Sequence, residues 1–347
     1  MNIVHHTKNV RHSGVGRFLI PLLLLATSAS CHRTDQPMSL FGEAQGTYYS
    51  VQYYDPQHRN LQPQIDSLLT AFDQSASLWV DSSLLRRLNA GLTDSLDHTL
   101  LFLLSKSLGI TEYTHGAFDP RVGRLVQMWG FSFRERSEPD SAILNDLLRA
   151  AHGSIDYNHH RFQREYPDTE LDFNAIAQGY AADLLASMMD SLGIENYLID
   201  IGGEVVARGD KGHGKPWRVG IERPASNAYD APIVQTAIAL RDASVVTSGS
   251  YRKYYERDGI RYSHTIDPTT GRPVQHSLLS VSVVESKGWL ADALATAYMV
   301  MGLDSARSFI AAHPDGPGTG AVLFLYDSCG TLASYATPQW DELRIKN

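Results

Sequence analysis

The chain has 347 residues, of which 43% are apolar, and a formal net charge of −8 at pH 7. This length and composition suffice for a substantial buried core. The acidic balance, without a basic stripe, argues against a nucleic-acid partner, and two cysteines are too few for a disulfide framework or a cysteine-based metal site.

The N-terminus has the pattern of an export signal. Lys8, Arg11 and Arg17 precede an apolar run over residues 18–26, and small residues follow at 28–30. A basic region, a short apolar region and a small-residue cleavage site make up a secretory signal peptide. Because the apolar run is too short for a comfortable membrane-spanning helix, we expect the chain to be exported.

The next residue, Cys31, resembles the acylated cysteine in the lipobox of bacterial lipoproteins. The alternative is a plain signal peptide followed by an incidental cysteine. On the lipoprotein interpretation, residues 1–31 are the signal peptide with Cys31 as the mature N-terminus, residues 32–40 a flexible tether and residues 41–347 one folded domain. The protein would then lie on the periplasmic side of a bacterial membrane, anchored by lipid.

Apolar spacing predicts helices and strands that do not alternate strictly. The predicted helices cover residues 61–77, 84–88, 100–113, 138–151, about 172–192 and 288–303. The predicted strands cover residues 45–54, 196–207 with a break at two glycines, 216–224, 235–240, 244–251, 278–285, 321–326 and 332–335. No repeat or linker divides the chain. We therefore predict an α+β fold, a single compact domain of mixed sheets with packed helices.

Two segments contain Asp-Pro turns. Ala117, Phe118 and Asp119 lead into the first, between glycines at 116 and 123, and an ordinary turn and a close approach of the backbone to a ligand are both open. His264 lies just before the second turn, at 267–268. It is either a structural hydrogen-bonding residue of that turn or a functional imidazole that titrates near neutral pH.

A helix start is predicted after residue 172. Asp172 and Asn174 can cap it, and the small residues Ala175, Ala177 and Gly179 leave its N-terminus open. An open helix N-terminus presents backbone N–H groups and a positive dipole to an anion. Close packing of the helix on a sheet would require the same small residues, so both interpretations remain.

The helix predicted over residues 288–303 carries one charged residue, Asp292, with Thr296 one turn later on the same face. A carboxylate in so apolar a helix needs a partner, because burying it alone is costly. Mg²⁺ would supply one through oxygen ligands. The alternative is an aspartate that stabilises the helix dipole and a threonine bonded back to its own helix.

Seven motifs of this chain occur in the order seen in the ApbE family, the FAD:protein FMN transferases. They are residues 117–119 with 129–131, 172–183, 200–203, 216–221, 247–249, 264–271 and 291–296. The resemblance runs from about residue 45 past residue 296, which is most of the chain after the leader. A lipoprotein leader is also usual in this family.

The resemblance implies an ApbE-like domain and a Mg²⁺-dependent enzyme. Such an enzyme splits FAD, its substrate, at the pyrophosphate and transfers FMN to a Thr or Ser hydroxyl of a target flavoprotein subunit, with release of AMP. Exported redox-pump subunits are the implied acceptors. The same resemblance leaves two other functions open, a Mg²⁺-dependent FAD pyrophosphatase that yields FMN and AMP, and a flavin-binding lipoprotein without turnover.

The resemblance also assigns roles to residues. It implies that the metal is ligated by the side chains of Asp292 and Thr296 and by the backbone carbonyls of Ala175 and Ala295. Contact with FAD falls on Gln45, Trp79, Ala117, Phe118, Asp119, Asp172, Gln178 and Ile266. His264 is the candidate base or phosphate donor, and Asp292 counts as catalytic through the metal.

Two positions depart from the family pattern. Gln178 stands where many members have lysine, which removes a cation from the phosphate region but keeps an amide donor. Trp79 stands where the family often has tyrosine, and an indole should stack on a flavin ring at least as well.

Overall fold

The computed structural model describes residues 36–131, 140–158, 160–224, 233–250, 254–257 and 260–345. Residues 34–347 form one compact unit. The predicted leader, Cys31 and residues 32–35 of the predicted tether lie outside the described residues. In the part of the chain that is described, no helix is both long enough and apolar enough to cross a membrane.

Five of the described helices begin with a capping side chain or a proline. In the described ranges the helices are α1 (Gln62–Ala76), α2 (Leu84–Asn89), α3 (His98–Tyr113), α4 (Gly123–Met128), α5 (Ser141–Ala151), α6 (Ala177–Ser191), α7 (Gly288–Ala312) and α8 (Pro338–Leu343). Asp97 caps α3 and Asp140 caps α5 through their side chains.

Strands are rich in β-branched and aromatic residues and are joined mostly by tight turns. In the described ranges they are β1 (Met38–Ala44), β2 (Thr47–Tyr53), β3 (Ile155–Asn158), β4 (Arg161–Arg164), β5 (Tyr197–Ile201), β6 (Glu204–Arg208), β7 (Trp217–Glu222), β8 (Val234–Leu240), β9 (Ala243–Gly249), β10 (Tyr254–Arg257), β11 (Ile260–Ser263), β12 (Ile266–Asp267), β13 (Arg272–Pro273), β14 (Leu278–Glu285), β15 (Ala321–Ser328) and β16 (Thr331–Ala336).

Eight of these strands form one antiparallel sheet in the order β1-β2-β5-β6-β9-β14-β15-β16. Successive side chains of a strand point to opposite faces, and here both faces are covered. Val206 and Val246 belong to the main core under α6 and α7, whereas their neighbours Val205 and Val245 belong to a smaller core. That second core contains Trp217 of the β7–β8 ribbon and residues of α8. These two layers confirm the predicted α+β class.

Helices α6 and α7 approach each other closely at their first turns. A side-chain carbon added to Gly179 would lie 2.3 Å from the carbonyl oxygen of Gly288, and one added to Gly288 would lie 2.6 Å from that of Gly179. Only glycine tolerates such a backbone contact. Of the small residues predicted to leave the start of α6 open, Gly179 therefore serves close packing, here against a helix.

The structure differs from the sequence prediction at several places. Helices α4 and α8 were not predicted, and α6 begins at Ala177 and not near residue 172. Strand β1 includes residues 38–40, which shortens the predicted tether, because these residues pair with β2 in register. Gln45 and Gly46 form the β1–β2 turn, with φ of 54° and 71°, and are not strand residues. Helix α7 extends to Ala312, beyond the predicted end at residue 303, and is broken at Gly302, where φ is 75°. Just before the break, His276 Nε2 donates to the carbonyl of Met299 at 2.7 Å.

Candidate active site

A cavity of about 970 Å³ brings together the predicted site residues. Those that line it are Gln45, Trp79, Ala117, Phe118, Asp119, Asp172, Ala175, Gln178, His264, Ile266, Asp292 and Thr296. Ala295 is the exception: its side chain is completely buried in the core, and it lies in the regular part of α7, where carbonyl oxygens accept helical hydrogen bonds. This volume lies at the upper end of the range for small-molecule binding sites.

Asp292 is the most perturbed group on the cavity wall. It is 5% exposed, and its Oδ2 accepts a hydrogen bond of 3.0 Å from the backbone N–H of Gly179. This is its one hydrogen bond within the described ranges. Burial raises the pKa of the carboxyl to about 7. A buried carboxylate so sparsely bonded is what a cation site requires of its main ligand.

The start of α6 leaves a carbonyl oxygen available beside Asp292. In a continuous helix the N–H of Gly179 would donate to the carbonyl of Ala175, four residues earlier. Here that N–H is directed to Asp292, and Ala175 precedes the first residue of α6 while lining the cavity. The carbonyl of Ala175 is therefore suited to ligate a metal, as the resemblance implied.

Thr296 completes this corner of the cavity with a hydroxyl. It lies one turn after Asp292 on α7, and its Oγ1 is 3.1 Å from the Oγ of Ser248 on β9. Ser248 also lines the cavity, yet the sequence analysis assigned it no role. Its signal was the run of hydroxyl residues that ends a strand at residues 247–249.

The donor set fits a hard divalent cation. Among the described residues, no group of three or more His, Cys, Asp or Glu side chains could hold a metal. Any metal site here must therefore include hydroxyl or carbonyl oxygens, as Asp292, Thr296 and Ala175 provide. Such mixed oxygen ligands suit Mg²⁺, which keeps positions open for phosphate oxygens.

The cavity wall is strongly acidic. Besides Asp119, its carboxylates are Asp73, Asp172, Asp200, Glu204, Glu222 and Asp292, whereas Arg218 is the one lysine or arginine among the described wall residues. The charge of Asp119 is neutralised by Arg121, whose Nη2 lies 2.6 Å from Oδ2. A wall of this sign repels a pyrophosphate unless a cation comes with it.

The first Asp-Pro turn and the start of α6 are joined through the backbone. The N–H of Asp172 donates to the carbonyl of Pro120 at 2.7 Å, which sets Asp172 beside the predicted contact residues of the turn. The N–H of Asn174 in turn donates to Asp172 Oδ1 at 2.8 Å. Burial raises the pKa of Asp172 to about 6.

Polar groups at the β1–β2 turn also face the cavity. Both amide atoms of Gln45 are buried and have no hydrogen-bond partner in the described part of the structure, although buried amides are almost always paired. The carboxyl of Asp73 on α1 accepts from the backbone N–H of Gln45 and has a pKa raised by burial. Gln45 is therefore ready to bind a polar ligand atom.

Trp79, Gln178 and His264 are further predicted residues on the cavity wall. Trp79 is 59% exposed and Tyr48 50% exposed, so both offer aromatic surface at the cavity. The amide Nε2 of Gln178 would lie 3.0 Å from a side-chain carbon added to Gly202, which places it at the β5–β6 turn. His264 is partly buried, with its ring centroid 6.4 Å from that of Phe131.

We expect the metal-free protein to be more stable at pH 5.5 than at pH 8. Burial raises the pKa values of Asp172, Asp200 and Asp292 in the folded state. Their stabilising contribution is therefore fully present below the unfolded pKa and is lost as pH rises through the folded values. For Asp172, whose pKa rises to about 6, and Asp292, whose pKa rises to about 7, the combined loss is roughly 3 kcal/mol.

The check is thermal unfolding with a metal chelator at both pH values. The titration of Asp55 does not affect this comparison. Arg59 lowers the pKa of Asp55 to about 2, so Asp55 contributes equally to stability at both pH values. A melting temperature that is higher at pH 8 than at pH 5.5 would contradict the prediction, and Mg²⁺ should raise the melting temperature more at pH 8.

Comparisons with known proteins identify the family of this chain. Residues 45–318 match the sequence model of the ApbE family. The chain is 35% identical over 297 residues to a FAD:protein FMN transferase of Vibrio cholerae, covering 82% of this chain and 87% of that one. It is 36% identical over 295 residues to that of Escherichia coli, covering 81% and 83%.

Solved structures show the same fold. The flavin transferase ApbE from Vibrio cholerae superposes with a TM-score of 0.77 at 30% identity, covering 89% of this chain and 99% of that one. The ApbE protein of Thermotoga maritima superposes with a TM-score of 0.78 at 26% identity, covering 90% and 100%. With the family match over residues 45–318, these likenesses show that the chain belongs to the ApbE family.

Proposed function

We propose that the protein is a Mg²⁺-dependent FAD:protein FMN transferase. The observation that carries the proposal is the buried carboxylate of Asp292, which accepts one hydrogen bond and shares a cavity of about 970 Å³ with the hydroxyl of Thr296 and with Ala175. The relatives named above support the flavin chemistry. The acceptor would be a Thr or Ser hydroxyl of an exported flavoprotein subunit.

The reaction exchanges one phosphorus–oxygen bond for another. The acceptor oxygen attacks the phosphorus of the FMN half of FAD, the bond to the bridging oxygen breaks, and AMP leaves with that oxygen. Mg²⁺ bound by Asp292, Thr296 and the carbonyl of Ala175 would neutralise charge on the pyrophosphate. The acidic wall makes this neutralisation necessary, since Arg218 is the only lysine or arginine that the described wall supplies.

The chain's own residues bind and orient the substrate. Trp79 offers an exposed ring for stacking against the isoalloxazine, and the unpaired amide of Gln45 is available to a polar edge of FAD. Gln178 supplies an amide where many family members have lysine, so binding of the pyrophosphate would depend more on Mg²⁺. His264 receives the proton of the acceptor hydroxyl, because an imidazole is poised for this near neutral pH.

Replacing His264 with alanine should lower the turnover number for transfer by about 100-fold, the lower end for loss of a general base. The KM for FAD should change little, because the residue acts on the acceptor proton. The dependence of the rate on pH between 6 and 9 should differ from that of the unsubstituted enzyme, because a general base contributes an ionisation to that profile. A variant with an unchanged turnover number and the same pH profile would exclude His264 as the base.

The function is tested by mixing the mature protein with FAD, Mg²⁺ and a candidate flavoprotein subunit. Transfer gives a fluorescent acceptor band that survives denaturing electrophoresis, together with AMP. AMP without a band would instead indicate the FAD pyrophosphatase, which uses the same site with water as acceptor. Neither product would indicate a flavin-binding protein without turnover.

We also propose that the enzyme is exported and anchored by lipid on Cys31, with the signal peptide ending at that residue. The leader's charge and apolar pattern support this. Cells grown with labelled palmitate should incorporate the label into the protein, and Cys31→Ser should remove it. Absence of label from the unsubstituted protein would show that the lipobox interpretation is wrong.

A further inference from the structure

Helices α6 and α7 both start without a local cap. The N-cap positions are Ile176 for α6 and Lys287 for α7, and neither makes a side-chain capping bond. The first N–H groups of a helix have no partner within the helix and must find one elsewhere. Gly179 and Gly288 are buried at these starts, so water is a poor partner for their N–H groups.

Each helix caps the other across the contact between Gly179 and Gly288. Asp292 of α7 accepts from the N–H of Gly179 in α6 at 3.0 Å. In return, Asp183 of α6 accepts from the N–H of Gly288 at Oδ1 and from that of Trp289 at Oδ2, both at 3.0 Å. The two carboxylates therefore form a reciprocal clamp between the two helices.

Asp183 takes no part in the proposed chemistry and does not line the cavity, yet it is only 7% exposed. Burial raises the pKa of its carboxyl, while the two N–H bonds and the charge of Lys287 oppose that shift. A buried carboxylate that binds two backbone N–H groups of another helix fixes where that helix begins.

The clamp joins the two halves of the candidate metal site. Ala175 lies just before the start of α6, and Asp292 and Thr296 lie on the first turns of α7. Their separation is therefore set by the contact between the two helix starts. We propose that Asp183 is a positioning residue that holds Asp292 and Thr296 at the distance from Ala175 that Mg²⁺ requires. This rests on the proposed function.

The decisive variant is Asp183→Asn. An asparagine keeps the shape but has one acceptor oxygen, so its NH₂ group faces the second backbone N–H. We expect the Mg²⁺ concentration for half-maximal transfer, and that for half of the Mg²⁺-induced rise in melting temperature, to increase about 10-fold. At saturating Mg²⁺ the transfer rate should return to within about threefold of the unsubstituted enzyme.

A matched control is Asp140→Ala. It removes the hydrogen bond that the Asp140 side chain accepts from the N–H of Ala142 at the start of α5. It should lower the melting temperature while leaving both Mg²⁺ midpoints unchanged, because α5 carries no residue of the proposed metal site. Recovery of the transfer rate of Asp183→Asn at saturating Mg²⁺ distinguishes a positioning role from a general loss of stability, because excess Mg²⁺ would not specifically correct the latter.

Two possible results distinguish a failure of the positioning role of Asp183 from a failure of the proposed function. If the unsubstituted protein responds to Mg²⁺ but the midpoints of Asp183→Asn stay within about twofold of it, the positioning role is wrong and the proposed function stands. If the unsubstituted protein shows neither Mg²⁺-dependent transfer nor a Mg²⁺-induced rise in melting temperature, the proposed function fails and the positioning role fails with it.

Discussion

Asp292→Asn should abolish Mg²⁺-dependent transfer, by at least about 100-fold, and at the same time stabilise the metal-free protein. The activity falls because the carboxylate is the only charged ligand of the proposed metal site. The stability rises because the substitution removes a buried charge that accepts one hydrogen bond in the described structure. Burial raises the pKa of Asp292 to about 7, so its carboxyl is mostly charged at pH 8. At that pH we expect the substitution to raise the free energy of unfolding by about 1–3 kcal/mol.

The measurement pairs a transfer assay with thermal unfolding in chelator at pH 8. Asp304→Asn is the control, because Asp304 lies on the same helix and is exposed; it should change neither property. Full activity in Asp292→Asn would overturn the metal assignment. A lower melting temperature in the metal-free variant would mean that the hydrogen bond from Gly179 stabilises the fold by more than the buried charge of Asp292 costs.

Gly179→Ala should destabilise the protein by about 2–3 kcal/mol and weaken Mg²⁺-dependent transfer as well. The added methyl carbon would lie 2.3 Å from the carbonyl oxygen of Gly288, and backbone cannot move aside as a flexible side chain can. The helices must separate, which also moves the N–H of Gly179 away from Asp292. Chemical denaturation and a Mg²⁺ titration of transfer measure the two effects.

Gly109→Ala is the opposite case on α3. No atom lies within 4 Å of a side-chain carbon added to Gly109, and alanine is the better helix former by about 1 kcal/mol. This variant should therefore be stabilised, with Mg²⁺ dependence unchanged. If both glycine variants shifted stability in the same direction, the close contact of α6 with α7 would not explain the requirement at Gly179.

Local patterns predicted much of this protein and its site. Helical spacing placed Asp292 and Thr296 on one face of a helix, and both line the cavity. The same pattern could not show that Asp292 bonds Gly179, which lies 113 residues earlier in the chain. Contacts at that range depend on the tertiary fold, and so do the freed carbonyl of Ala175 and the clamp through Asp183.

Other misses have local causes. Residues 38–40 of strand β1 were assigned to a tether because β1 is an edge strand in which every second residue is exposed and none is fully buried. Gln45 was placed in a strand, although its positive φ belongs to a turn. Asparagine and glycine are the usual residues there, so glutamine gave little signal. Ser248 was overlooked because a hydroxyl at a strand end has many uses.

The most direct test of the account is the intact mass of a candidate acceptor after incubation with the enzyme, FAD and Mg²⁺. We predict a gain of one FMN less water per acceptor and an equal amount of AMP. No mass gain should occur when the acceptor Thr or Ser is replaced, or when Asp292 of the enzyme is changed to asparagine. An unmodified acceptor together with free FMN and AMP would contradict the transferase assignment.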